Sequence, residues 1–346
     1  MPKPARFLLD NFAIMENMRK KIIIWGVVIM LLALAAGAFY SWRAPARNIT
    51  WGVVFSQKQA DNLGLDWRQV YLALLDDLGA EKIKIAAHWD LLEPQQGEYD
   101  FSDLDWQLAE ASKRSVKIMP AIGMKTPRWP ECHIPKWAEG IGKEKQQEAI
   151  LAMLAAAVSR YKDNQTIESW QVENEPLFPF GECPWRDKNF LQQEIALVKA
   201  LDENKRPVVV SDSGEGSWWL EAARAGDLPG VTMYRRVYFR EVGLYVNYPL
   251  PPAFYAIKAK LINAIFGKRV ICVELQTEPW AIDGKFDGGA NDGKTMSLAQ
   301  MKGNLAFAKN TGLDEFYLWG SEWWYWMKEM RDHSEFWEEI KLLIKN

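Results

Sequence analysis

Two glutamates are set apart by their neighbours. Glu175 lies in Asn174-Glu175-Pro176 at the end of the run IESWQVEN, and Glu274 lies near the end of a second apolar run, VICVELQ. Cleavage of a glycosidic bond passes through an oxocarbenium-like transition state. It needs a proton on the leaving oxygen and a negative group at the anomeric carbon, and two facing carboxyls supply both. Glu173 and Glu278 are rival carboxylates. Strand alternation and distance from the strand end mark them instead as solvated or ion-paired groups.

For the pair to face one another, the chain must bring two distant strand ends to one mouth. Beyond residue 48 it alternates short strand-like runs with stretches of helical periodicity. Eight strands are expected: ITWGVVF from Ile49, KIKIAAH from Lys82, KIMPAIG from Lys117, IESWQVEN from Ile167, PVVVSD from Pro207, VTMYRRVYF from Val231, RVICVELQ from Arg269 and EFYLWGS from Glu315. Between them, spacings such as Ile150, Leu154, Ala157, Tyr161 and Leu298, Met301, Leu305, Ala308 read as covering helices. This is the pattern of an α/β fold, a (β/α)8 TIM barrel over residues 48–346. No GxGxxG follows the first strand to favour a nucleotide-binding open sheet. In such a barrel chemistry gathers where strands run into the following helices, and strands four and seven stand across that mouth from one another.

Those strand ends carry a family likeness. Asn174-Glu175-Pro176 closing strand four, Glu274 in VICVELQ closing strand seven, and the segment WDLLEPQQGEYDFSDLDW from Trp89 to Trp106 resemble glycoside hydrolase clan A, particularly its family 5 cellulase-like branch. The resemblance implies a retaining β-glycosidase acting by double displacement, with Glu274 as nucleophile and Glu175 as acid/base. It implies that Glu175 has a raised pKa, that Asn174 binds the 2-hydroxyl beside the reacting carbon, and that Trp319 is the platform under the sugar being cleaved. It also implies a strand-six side chain hydrogen-bonded to the nucleophile. Tyr234, Arg236 and Tyr238 share one face there, and Tyr238, nearer the strand end, is the expected partner. Strand two offers lysines and His88 where the family has an arginine.

Other residues near strand ends suit a glycan. Sugar rings stack their CH faces on flat aromatic rings, and the chain has 18 tryptophans. Trp89, Trp129, Trp280, Trp323 and Trp324 are candidate cleft walls or, equally, packed rim residues. His88 and Gln276 are candidate substrate contacts, with a strand-capping role as the alternative for His88. The long segments GLYVNYPLPPAFY and TEPWAIDGKFDGGANDG are candidate subsite loops. A transglycosylase using the same residues, or a catalytically silent polysaccharide-binding barrel, would share this sequence pattern.

Composition narrows the partners. A net charge of -3 gives no basic surplus for nucleic acid, and a neutral or weakly charged substrate is expected. No Cys/His spacing suits a metal, and no cofactor is expected. Of three cysteines, Cys272 sits in an apolar run, while Cys132 and Cys183 fall in loops after neighbouring strands and form a candidate disulfide. Residues 22–42 read as a transmembrane signal anchor: the run from Ile22 to Tyr40 has no charge. Arg19, Lys20 and Lys21 before it favour a cytoplasmic tail over residues 1–21, with the barrel outside. Tyr40, Trp25 and Trp42 are candidate interface markers. A cleaved signal leading to secretion and a buried core helix are the alternatives, and no oligomeric state follows from these features.

Overall fold

The computed structural model describes residues 3–46, 48–239, 243–280 and 295–345. The strands are β1 (Thr50–Phe55), β2 (Lys82–Ala86), β3 (Lys117–Ile122), β4 (Trp170–Val172), β5 (Val208–Asp212), β6 (Leu228–Met233), β7 (Arg236–Phe239), β8 (Leu244–Asn247), β9 (Ile271–Gln276) and β10 (Glu315–Trp319). Eight of them close a parallel barrel in the order β1-β10-β9-β6-β5-β4-β3-β2. The eight expected strand regions are the barrel strands, with one correction. The sixth begins earlier and ends at Met233; Arg236–Phe239 leaves the barrel to pair antiparallel with β8 in a separate hairpin.

The strand sequences follow from burial on both sides. Every residue of VVVSD and of ICVELQ is buried, because one face meets the barrel interior and the other the helices. Val54, Met119, Val209, Ile271, Val273 and Tyr317 fill the barrel's inside, while the larger core lies between strands and helices. The helix Lys143–Tyr161 turns Ile150, Leu154, Ala157 and Tyr161 inward. The helix Leu298–Ala308 begins at a capping box, in which the Ser297 hydroxyl accepts from Gln300 N while Gln300's side chain accepts from Ser297 N.

Lys3–Ser41 is one helix, and none of its apolar stretch Ile24–Ser41 is buried against the barrel. Its end is fastened at the barrel's side. Tyr40 donates to the Pro249 carbonyl at 3.1 Å, and the Lys260 ammonium lies 4.6 Å from the centre of the Trp42 ring.

Candidate active site

Glu175 and Glu274 meet at the mouth where the strands end. Glu274 reaches the interior through an irregularity in β9. Against β6 the register steps from Val231↔Cys272 to Thr232↔Glu274, and against β10 from Phe316↔Cys272 to Leu318↔Leu275. The extra residue is a bulge. Val273 already faces the barrel interior, so strict alternation would send Glu274 outward; the bulge re-aims it into the mouth. There Lys84 Nζ donates to Oε1 at 3.0 Å and Tyr234 Oη donates to Oε2 at 2.9 Å. Both donors stabilise negative charge on Glu274.

Glu175 lies in a different setting. Its peptide N–H donates to Ser211 Oγ at 2.8 Å, and its Oε1 accepts from Thr232 Oγ1 at 3.0 Å. Thr232 is the cross-strand neighbour of Glu274, so its hydroxyl links Glu175 to the strand beside Glu274. Burial, together with the negative charges of Glu274 and Glu131, pushes the Glu175 carboxyl up to about 8 against the counteracting pull of Lys125. At neutral pH it carries its proton. The backbone just before it is held by Glu173, whose carboxylate accepts from Met124 N at 2.7 Å and Lys125 N at 2.6 Å. Gly123 makes room for that clamp: its φ is +127°, and a Cβ there would meet Glu173 Oε1 at 2.3 Å.

A cleft of about 400 Å³ opens over the pair. Its wall is a chain of edge-to-face rings: Trp129 to Phe180 at 6.1 Å, Phe180 to Trp280 at 5.9 Å, and Trp280 to Tyr234 at 5.4 Å between centroids. Such a wall presents the flat apolar faces on which sugar rings stack. Trp129 and Trp280, two of the expected cleft walls, therefore line it, whereas Trp323 and Trp324 are buried in the core.

The remaining expected site residues divide. Asn174 lines the cleft; its Nδ2 donates to Glu131 Oε2 at 3.1 Å and its Oδ1 accepts from Gln171 Nε2 at 3.0 Å. Tyr238 also lines the cleft but is carried on the β7–β8 hairpin beside Tyr245, and the tyrosine bonded to Glu274 is Tyr234. Gln276 is fully buried. Its Oε1 accepts from Arg235 N and Arg236 N, each at 2.9 Å, so it fastens the chain leaving β6 rather than facing the cleft.

His88 is buried with both ring nitrogens engaged, to Ser56 Oγ at 3.1 Å and Thr126 Oγ1 at 2.8 Å. It braces two strand ends instead of meeting a sugar. Trp89 opens a short helix, gives its indole N–H to Glu93 Oε2 at 2.8 Å and packs edge-on against Trp137, away from the cleft. Trp319 ends β10 at the barrel's centre, and one ring face is covered by the Arg128 guanidinium at 3.9 Å. Arg128 in turn pairs with Glu278 and, at 2.5 Å, with Glu322. Glu278 is thus a paired carboxylate. Of the subsite loops, Tyr248 reaches the cleft, and residues 281–294 lie outside the described residues.

Cys132 and Cys183 form a disulfide that ties the loop after β3 to the loop after β4. Cys272 is buried and free. Sequence reasoning gave no role to Glu131, Thr232 or Glu215, all of which line the cleft, and did not single out Lys84. Lys84 had a signal: a lysine centred in the strand KIKIA must be buried, and a buried ammonium requires a carboxylate.

No family model matches the chain. The β-galactosidase BgaA of Clostridium cellulovorans is 24% identical over 169 residues, covering 43% of this chain, which spans only 25% of that relative. Among solved structures, xylanase 10B of Thermotoga petrophila in complex with xylobiose superposes with a TM-score of 0.53 at 15% identity, covering 79% of this chain and 82% of that one. The exo-beta-1,4-mannosidase Op5Man5 from an Opitutaceae bacterium gives 0.57 at 14% identity over 87% of this chain and 61% of its own. A GH5_18 protein from Streptomyces cattleya in complex with GlcNAc gives 0.55 at 12% identity over 79% of this chain and 70% of its own. The likeness is one of fold: a TIM barrel that several glycoside hydrolase families share, and not family 5 alone.

Proposed function

We propose that this protein is a retaining β-glycosidase held at the outer face of a membrane by its N-terminal helix. One observation carries the reading: two buried glutamates share a cleft in contrasting settings, Glu274 held between an ammonium and a phenol, and Glu175 beside other carboxyls that help push its own up to about 8. That division assigns nucleophile and acid. In the first half-reaction a Glu274 oxygen bonds to the anomeric carbon as the bond to the leaving oxygen breaks, and that oxygen takes the Glu175 proton. Esterifying Glu274 removes its charge, one cause of the raised Glu175 value, so Glu175 becomes the base that deprotonates the incoming water. Tyr234 stays protonated, since burial and the Glu274 charge push its hydroxyl well above the ordinary value, and it remains a donor throughout.

The aromatic wall supports a glycan substrate, and the names of the fold relatives, xylanase and mannosidase among them, support a β-linked one. The exposed apolar stretch Ile24–Ser41 is long enough to cross a bilayer, and the lysines and arginine before it favour a cytoplasmic start. Exposure of the protein to a panel of activated 2-fluoro β-glycosides, followed by intact-mass and peptide mapping, tests the reading. An adduct on Glu274 is expected. An adduct on another carboxylate would overturn the assignment, and a panel spanning the common sugars that labels nothing, together with absence of turnover on every β-glycoside offered, would remove the retaining mechanism.

A further inference from the structure

The cleft holds more acid than the proposed reaction uses. Glu131, Glu175, Glu215 and Glu274 line it, and its described lining includes no lysine, arginine or histidine. Glu175 and Glu274 are taken by the chemistry. Glu215 is committed to the fold, with its Oε1 accepting from the Tyr255 hydroxyl and from Tyr234 N. Glu131 is left. It is only 6% exposed, and its Oε2 accepts from Asn174 Nδ2 at 3.1 Å. Among the described residues no protein donor reaches its Oε1.

The cation closest in influence, Lys125, does not pair with it. The Lys125 ammonium is turned to the carbonyls of Glu175 and Phe178, at 3.0 and 3.3 Å. Glu131 is nevertheless held firmly in place: a Cβ on Gly181 would lie 2.5 Å from its Cβ, and the next residue, Cys132, is bridged to Cys183. A buried carboxylate without a counter-ion is costly, and a ligand that brings a cation relieves the cost.

For a sugar whose anomeric carbon lies between Glu175 and Glu274, the exocyclic group nearest the reacting centre is the one on C2. Asn174, next in sequence to Glu175, is bonded to Glu131, which places Glu131 on the same side of the cleft. We infer that the unit bound at the point of cleavage is a hexosamine with a free amine on C2, its ammonium meeting Glu131. A hydroxyl donates to Glu131 but brings no charge to balance it. An acetamide does the same and is bulkier. The inference rests on the glycosidase reading above and narrows its substrate to un-acetylated amino sugars.

The test uses the full chain in detergent with matched para-nitrophenyl β-glycosides bearing a hydroxyl, a free amine or an acetamide on C2, in both gluco and manno configurations. In at least one configuration the amine is expected to exceed its two counterparts in kcat/KM by roughly tenfold or more, the scale of a charge-assisted hydrogen bond. Glu131→Gln is expected to bring that ratio close to one. Turnover that favours the hydroxyl or the acetamide, or a preference for the amine that Glu131→Gln leaves intact, would overturn the inference while leaving the glycosidase standing. Absence of turnover on every substrate, together with absence of any 2-fluoro adduct, would remove the glycosidase reading and this inference with it. Should Glu131→Gln fail to fold, the ratio measured on the parent protein decides.

Discussion

The two ends of the barrel both gather charge, but they treat it differently. At the N-terminal end Lys82 Nζ lies 2.9 Å from Glu168 Oε1 and 3.0 Å from Glu315 Oε1, and Arg269 Nη2 lies 2.8 Å from Glu315 Oε2. Tyr317 Oη, at 3.0 Å from Glu168 Oε1, completes the set. Two cations face two carboxylates. Burial alone would raise Glu315, yet Arg269 and Lys82 hold its carboxyl below the ordinary value. At the C-terminal end, two residues further along β2, Lys84 meets Glu274, while Glu131 and Glu175 are buried and form no ion pair among the described residues. Balanced charge at one end fastens the barrel. Unbalanced charge at the other is what the proposed reaction needs, at a cost in stability that the rest of the fold must carry.

The largest expected effect removes the two groups proposed to react at the unbalanced end. Glu274→Gln should lower kcat by more than roughly a thousandfold on any substrate the parent cleaves, since the covalent route is lost. Glu175→Gln should cost about 100- to 10,000-fold on substrates with a poor leaving group and much less on activated aryl glycosides, which need no proton. The parent's pH–rate profile should fall on its alkaline side near 8, as Glu175 loses its proton. Equal losses on both substrate types for Glu175→Gln would deny it the role of acid.

Much of this arrangement is legible in the sequence because local composition determines it. The barrel follows from eight β-branched runs separated by helical periodicity, and Asn174-Glu175-Pro176 marks its strand end by residue type. Other parts depend on geometry that no local pattern carries. Choosing Tyr238 over Tyr234 assumed an unbroken sixth strand, but the strand stops at Met233 and the chain turns out into a hairpin. Strict alternation after Val273 would have turned Glu274 away from the mouth, and only pairing with both neighbouring strands reveals the bulge. Trp89 illustrates the opposite error: a large aromatic beside a strand end is also what a helix uses to seat itself on the core. Glu131 has no sequence signal, because its position depends on a loop pinned by a distant cysteine.

Lys82 and Lys84 sharpen the comparison, being two residues apart on one strand. Lys84→Met leaves the Glu274 carboxylate buried without its cation and should destabilise the fold by about 3–5 kcal/mol. It should also lower kcat, because the proposed nucleophile loses the ammonium that supports negative charge on it. Lys82 is partly exposed and its carboxylates keep Arg269 and Tyr317, so Lys82→Met should cost less, about 1–2 kcal/mol. Its kcat/KM should stay near that of the parent. Urea unfolding and steady-state kinetics on both variants separate the two ends; matching losses of stability and activity in both would show the division to be false.

The last expected effect is a slope rather than a loss at one condition: how stability changes with pH. Burial, the leading cause in each case, pushes Glu175 up to about 8 and Glu131 and Glu278 up to about 7, above the ordinary 4.5. A carboxyl whose value is raised on folding binds more protons folded than unfolded between those limits. The stability linked to it is complete below about 4.5 and is lost as pH rises toward 7–8, by up to about 1.4 kcal/mol per pH unit for each proton. The parent should therefore weaken between pH 5 and 8, opposite in sign to the contribution of Glu315, whose lowered value places its loss of stability in acid. Glu175→Gln should flatten the slope between pH 5 and 8, and Glu315→Gln should not. Unfolding midpoints in urea at four pH values across that range decide it: a parent curve that is level, or a Glu175→Gln curve as steep as the parent's, would mean that the C-terminal end stores no proton on Glu175.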